Sequence, residues 1–172
     1  MSVFRGIVYS LHASFDVNRE LGPDGVRVGW YQRNNDDSEK FGTVGRDVGD
    51  AGIFIHPSYD DATFEYGFLL IKLDGSSTKA FPKLNNDASK PVSETTMSVI
   101  GRGNQKASGF NEMNILFEAE IPFIETSECE KGKSHGGWTY TDTIGDSQFC
   151  AGSDEVGACE SDWGGPVVET AF

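Results

Sequence analysis

The chain has no apolar run near the roughly 20 residues that a membrane-spanning helix requires, so no spanning segment is expected. It is also short of positive charge, with 14 Lys and Arg against 27 Asp and Glu and a formal net charge of −13. A chain of that sign repels phosphate backbones and anionic lipid surfaces, which argues against nucleic acid and membrane as partners. Cysteine is scarce, at 3 residues in 172. An odd number fits either a reducing compartment or a disulfide framework with a member missing. The three histidines, His12, His56 and His135, form no paired metal-ligand spacing with the cysteines, so no metal is expected. Neither a phosphate-cradling glycine loop nor a dinucleotide fingerprint is present, and no cofactor is expected. No repeat period and no long 3.6-residue pattern appears. The segment from Met1 to Ala13 has one basic residue and a short, interrupted apolar patch, which is poor as a signal peptide.

What is present is the material of a β protein. Hydrophobic residues make up 37% of the chain and charged residues 24%, a balance that excludes disorder by composition. The 21 glycines and recurrent turn pairs separate short apolar runs, which predicts many short strands. Strand signals fall at Gly6 to Leu11, Val26 to Tyr31, Ile53 to Ile55, Met97 to Ile100 and Ile115 to Ile121, and again near Phe149 and Val167. The nearly continuous apolar run from Phe64 to Leu73 predicts a strand buried on both faces. Asn34 to Glu39 reads as a polar loop, and the Ser-, Thr-, Asn-, Lys- and Pro-rich stretch from Asp74 to Glu94 as a linker.

The motif near the C-terminus, Cys159-Glu160-Ser161-Asp162-Trp163-Gly164-Gly165-Pro166-Val167-Val168, is a tight turn feeding a β-branched strand. It resembles the nucleophile loop of the trypsin/chymotrypsin family of serine endopeptidases, Cys-x-Gly-Asp-Ser-Gly-Gly-Pro. Other segments resemble the same family in the same order: Ile55-His56-Pro57-Ser58-Tyr59-Asp60, then Phe64 to Leu73, then Val99-Ile100-Gly101-Arg102-Gly103, then Phe149-Cys150-Ala151-Gly152. The resemblance covers about residues 8 to 168. It implies an all-β fold of two packed antiparallel β-barrels, incomplete at both termini. The first partial barrel is expected over residues 1–84 and the second over 85–172, and secretion from the cell is expected with them.

The same resemblance fixes what stands at each working position. The family's acyl transfer needs a nucleophilic serine, a histidine base, an aspartate to orient it and backbone N–H groups for the oxyanion. Trp163 stands at the nucleophile, Gly67 at the acid and Ser161 at an oxyanion-hole glycine. Laying Tyr9 to Phe15 on the family's base motif puts Ala13 at the histidine; a one-residue slip would put His12 there, but would lose the match of Ser14 to the adjacent half-cystine. Gly157 stands where trypsin-like enzymes carry the specificity-pocket aspartate, so no preference for Lys or Arg follows. Asp162 corresponds to the carboxylate that pairs with the processed amino terminus, and when buried it needs another partner. Cys129 and Cys150 correspond to a family disulfide, and Cys159 to a half-cystine whose partner has no counterpart here. Asp36, Asp37 and Glu39 lie near a loop that binds calcium in some relatives, but Trp30 stands where the first acidic ligand belongs, which favours a solvated polar turn.

With all three triad positions replaced, the resemblance points to an inactive protease homologue that holds another protein. Inactive members such as the glucanase inhibitor proteins of plant pathogens work in that way. Two alternatives stay open at this point: residual peptidase activity using His12 and Ser161, and a non-functional truncated fragment, whose missing strands would expose sheet edges.

Overall fold

The computed structural model describes residues 25–35, 37–43, 52–105, 113–133, 137, 139–153, 155–159, 162 and 164–169, with the backbone alone at 2–5. Nine strands and one helical turn are formed by these residues: β1 (Ser2–Arg5), β2 (Gly25–Val28), β3 (Glu39–Gly42), β4 (Ile53–Ile55), β5 (Leu69–Ile71), β6 (Thr96–Gly101), β7 (Phe117–Ile124), α1 (Thr126–Cys129), β8 (Gln148–Ala151) and β9 (Val167–Val168). Every pairing is antiparallel. The fold is all-β.

The largest sheet runs in the order β1-β8-β7-β6-β9. β6 lies between β7 and β9, paired to β7 from Thr96↔Pro122 to Gly101↔Phe117 and to β9 through Ser98↔Val168 and Val99↔Val167. A strand paired on both sides and covered on both faces should read as continuously apolar. Met97, Ser98 and Val99 are buried in succession. Across from them β7 alternates, turning Glu118 and Glu120 to solvent and Ala119, Ile121 and Phe123 inward, the two-residue period of a half-buried strand. Met97, Val99, Ile121 and Ala151 form the core, with Ala119, Phe123, Phe149, Ala158 and Val167 packed around them. Full burial of Ile121 alone contributes about 1.5–3 kcal/mol relative to leaving it in water.

Two smaller ribbons lie between β1 and β6 in the chain. β2 pairs with β3 through Val26↔Phe41, burying Val26, and β4 pairs with β5 through Ile53↔Ile71, burying Ile53. A bridge between Thr43 and Leu73 and the hydrogen bond from Asp74 N–H to Gly42 O (3.1 Å) join the ribbons.

The strand expected from Phe64 to Leu73 is shorter than its apolar composition predicts. Within it the strand spans Leu69–Ile71 alone, and Leu70 is 64% exposed. The physical reason lies upstream, where Phe64 (φ 59°) and Tyr66 (φ 52°) take left-handed backbone angles that no strand accepts. β3 begins within the stretch read as a polar loop, because Glu39 and Lys40 belong to the ribbon. The strand expected at Gly6 to Leu11 lies outside the described residues.

α1 is a single turn that carries the buried Cys129 to Cys150 on β8, and the two form a disulfide with Cα atoms 6.3 Å apart. The implied pairing is therefore the one formed. Closing the 21-residue separation contributes about 3 kcal/mol in the chain-entropy account.

Candidate functional site

The loop that carries the motif is built on the end of β6. Asp162 N–H donates to Cys159 O (3.1 Å), Gly165 N–H to Asp162 O (2.9 Å) and Ile100 N–H to Pro166 O (3.1 Å), so the turn folds on itself and then docks beside β6. Gly164 has φ +77° with open space around it, so glycine serves the backbone angle there. At Gly165 the demand is space, since a Cβ would lie 2.7 Å from Ile100 O and 2.9 Å from Asp162 O.

Asp162 points under this turn onto Gly101-Arg102-Gly103. Its Oδ1 accepts from Gly103 N–H (2.6 Å) and its Oδ2 from Cys159 N–H (3.0 Å). The carboxylate fills the space that side chains at residues 101 and 103 would occupy, which accounts for both glycines. Two charge-assisted bonds to backbone donors thus supply the partner that a half-buried carboxylate needs. Cys159 is half-buried beside it, outside the disulfide.

Gly67, which the resemblance sets at the acid position, is half-buried and has no side chain. Its neighbours are fixed from several directions. Tyr66 N–H donates to Ser147 Oγ (2.7 Å), Gln148 Nε2 donates to Thr63 O (3.0 Å) and Phe68 N–H to Tyr66 O (2.6 Å). The imidazole of His56 stacks on the Tyr66 ring, with centroids 4.9 Å apart and planes 13° from parallel, and its Nδ1 accepts from Ser58 N–H (3.1 Å). Residues on both sides of Gly67 are thus held by ring stacking and hydrogen bonds. Nearby, burial raises the Tyr59 phenol above its ordinary pKa, helped by the charges of Asp61 and Asp60.

Gly157, which the resemblance sets at the specificity-pocket position, is half-buried between Val156 and Ala158. Ser153 Oγ accepts from Glu155 N–H (3.2 Å) and Val156 N–H (3.1 Å), which shapes the turn leading to it. No carboxylate is contributed at residue 157. Ala13, His12, Ser161 and Trp163 lie outside the described residues, so Gly67, Gly157 and Asp162 are the positions whose surroundings are defined.

The acidic residues near Asn34 are divided between roles. Glu39 on β3 accepts hydrogen bonds from the hydroxyls of Ser77 and Thr78 and from Thr78 N–H (3.1 Å). These bonds, Ser77 first and Thr78 next, hold its carboxyl below the usual carboxylate range. Asp37 is exposed, and Asp36 lies outside the described residues. Among the described residues no group of three His, Cys, Asp or Glu could hold a metal ion.

One arrangement was not foreseen from the motifs. Arg102, which stands where the resemblance expects tryptophan, is 3% exposed. Its Nη1 donates to Asn114 O (2.8 Å), its Nη2 donates to Trp30 O, and its guanidinium lies 5.0 Å from the Trp30 ring centroid. Arg27 lies over the same ring at 4.5 Å. Burial, then the nearby charge of Arg33, lowers the Arg102 pKa. The sequence carries two departures from the family pattern at this place, Trp30 for an acid and Arg102 for a tryptophan.

The comparisons with known proteins agree with this geometry. The model of the trypsin family matches residues 18–171. Rat cationic trypsin-3 is 34% identical over 122 residues, covering 69% of this chain and 47% of that protein. Trypsin 5G1 of Aedes aegypti is 36% identical over 121 residues (66% of this chain, 42% of the relative), and rat coagulation factor XII is 31% identical over 124 residues (66% and 20%). The chain spans about half the length of the trypsins it matches, and less of the factor. With the ordered motifs, the antiparallel sheets and this match over most of its length, the chain belongs to the trypsin family and has that family's fold of two antiparallel β-barrels.

Proposed function

We propose that the chain is a catalytically inactive member of the trypsin family that works by binding another protein outside the cell. The observation that carries the reading is Gly67. An aspartate is needed there to hold the base in its reactive tautomer, and this chain places a glycine between two aromatic residues whose rings and backbone are committed elsewhere. Ala13 and Trp163 at the base and nucleophile positions point the same way. The buried core and the Asp162 turn are kept while the reacting groups are replaced, which is the pattern of a scaffold used for its surface. The Cys129–Cys150 disulfide suits an oxidising compartment.

The test is turnover. Purified chain incubated with a broad peptide library is expected to release no fragments and to take up no serine-reactive phosphonate. Cleavage that is blocked by the phosphonate and abolished by Ser161→Ala would overturn the reading in favour of peptidase activity with a displaced nucleophile. Recovery of one stoichiometric, salt-stable partner from the extracellular fluid of the source would support binding.

A further inference from the structure

The connection from β5 to β6 is a stretched segment tied down at both ends. From Thr78 to Lys90 every residue is exposed, and none lies in a strand or helix. The first tie is Glu39, which grips Ser77 and Thr78, while the aliphatic stem of Lys79 lies over Gly29. The second is a small turn. Asn85 Nδ2 donates to Lys90 O (3.1 Å), Asp87 N–H to Asn85 Oδ1 (2.9 Å), and Ser89 N–H and Oγ–H to Asp87 Oδ1 (2.9 and 2.6 Å). Between the ties, Ala80, Phe81, Pro82, Lys83 and Leu84 make no hydrogen bond, ion pair or ring contact among the described residues. Phe81 is 73% and Leu84 58% exposed.

Such a segment suits one kind of occupant. Its ends are already fixed, so less chain entropy remains to be lost on binding, and Pro82 fixes one more dihedral. The N–H and C=O groups of Phe81, Lys83 and Leu84 are available to pair with the edge of a partner's sheet. Lys83 projects a cation on a long apolar stem from a chain of net charge −13, which matches a deep, acid-bottomed pocket. Lys79 and Lys90 do not offer this, because the stem of Lys79 is packed on Gly29 and the backbone of Lys90 closes the second turn.

We propose that residues 80–84 dock in the substrate cleft of a second, catalytically active trypsin-type endopeptidase, with the Lys83 ammonium on the aspartate of that enzyme's specificity pocket. The proposal rests on the binding role argued above and names the partner. A second copy of this chain is excluded as the occupant, since Gly157 supplies no carboxylate at the corresponding place. If the partner turns the bond over, water adds across the Lys83–Leu84 amide and leaves a carboxyl group on Lys83 and an amino group on Leu84.

The experiment is titration of the intact chain into pure trypsin. Hydrolysis of a small lysine ester is followed, and the earliest cuts in the chain are identified by mass spectrometry. Competitive inhibition is expected, with the first cut between Lys83 and Leu84, and Lys83→Ala should weaken inhibition at least about tenfold, as for a central anchor residue. Lys79→Ala should leave it unchanged, and an endopeptidase with an apolar pocket should not be inhibited. Equal inhibition by Lys83→Ala, or a first cut at any other Lys or Arg, overturns the proposal. The two readings fail separately: peptide turnover by the chain alone removes the inactive-homologue reading, whereas no turnover with inhibition indifferent to Lys83 removes only the docking segment.

Discussion

Among the described residues the buried cation at residue 102 meets no carboxylate, and two backbone carbonyls and an indole face take its place. Hydrogen bonds to two neutral carbonyls engage both Nη atoms of the guanidinium, and the ring adds an attraction of about 0.5–2 kcal/mol. Arg102→Met keeps most of the volume but removes both bonds, leaving Trp30 O to lose its donor while Asn114 O keeps the one from Arg33 N–H. We expect a loss of about 1–3 kcal/mol, read from urea unfolding, with Arg102→Lys recovering little because an ammonium cannot reproduce the planar fork. Glu39 gives a prediction in pH. Its folded pKa is depressed by Ser77 and Thr78, so its contribution is full above the unfolded carboxylate pKa and is lost as pH falls through the folded one. The melting temperatures of the parent and Glu39→Gln should therefore differ near neutrality and converge in acid below the usual carboxylate range. A constant difference across the whole range would show that the carboxylate's charge is not what holds Ser77 and Thr78.

Among the elements, the turn between Asp162 and β9 separates two uses of glycine that the sequence prints identically. Gly164→Ala places a Cβ in open space and meets only the left-handed angle, a cost of about 1–2 kcal/mol. Gly165→Ala drives a Cβ against two backbone oxygens that cannot move without breaking the pairing of Pro166 and Val167 to β6. It should cost at least about twice as much, and the order of the two variants in denaturant checks the assignment. This contrast also shows what was legible beforehand. β4 and β6 announced themselves because their burial follows local composition, and the Gly-Gly-Pro turn because its residue types are demanded by backbone geometry. Phe64 to Gly67 did not, because its left-handed angles sit at Phe64 and Tyr66, where no residue type signals them; long-range bonds from Ser147 and Gln148 accompany that conformation. β3 was hidden for a similar reason, since Glu39 owes its place to hydroxyls 38 and 39 positions further along the chain.

For the molecule as a whole, the question is what makes the early ribbons and the five-stranded sheet unfold together. Among the described residues two seams join them. In one, the bridge Gln32↔Ile115 and the bonds Arg33 N–H to Asn114 O (2.8 Å) and Leu116 N–H to Tyr31 O (3.1 Å) are backed by Arg102 on Trp30. In the other, Ser147 and Gln148 hold the backbone at Tyr66 and Thr63. The seams share no residue, so cutting one leaves the other to transmit the coupling, and their variants should be non-additive only in combination. Arg102→Met and Gln148→Ala are each expected to keep a single transition in which tryptophan fluorescence and far-ultraviolet dichroism coincide. The double variant should separate the two probes, the fluorescence changing first because Trp30 sits at the severed seam, as two-state behaviour fails when cooperative units part. One coincident transition in the double variant, lowered by the sum of the single effects, would place the coupling in the packed core instead of the seams.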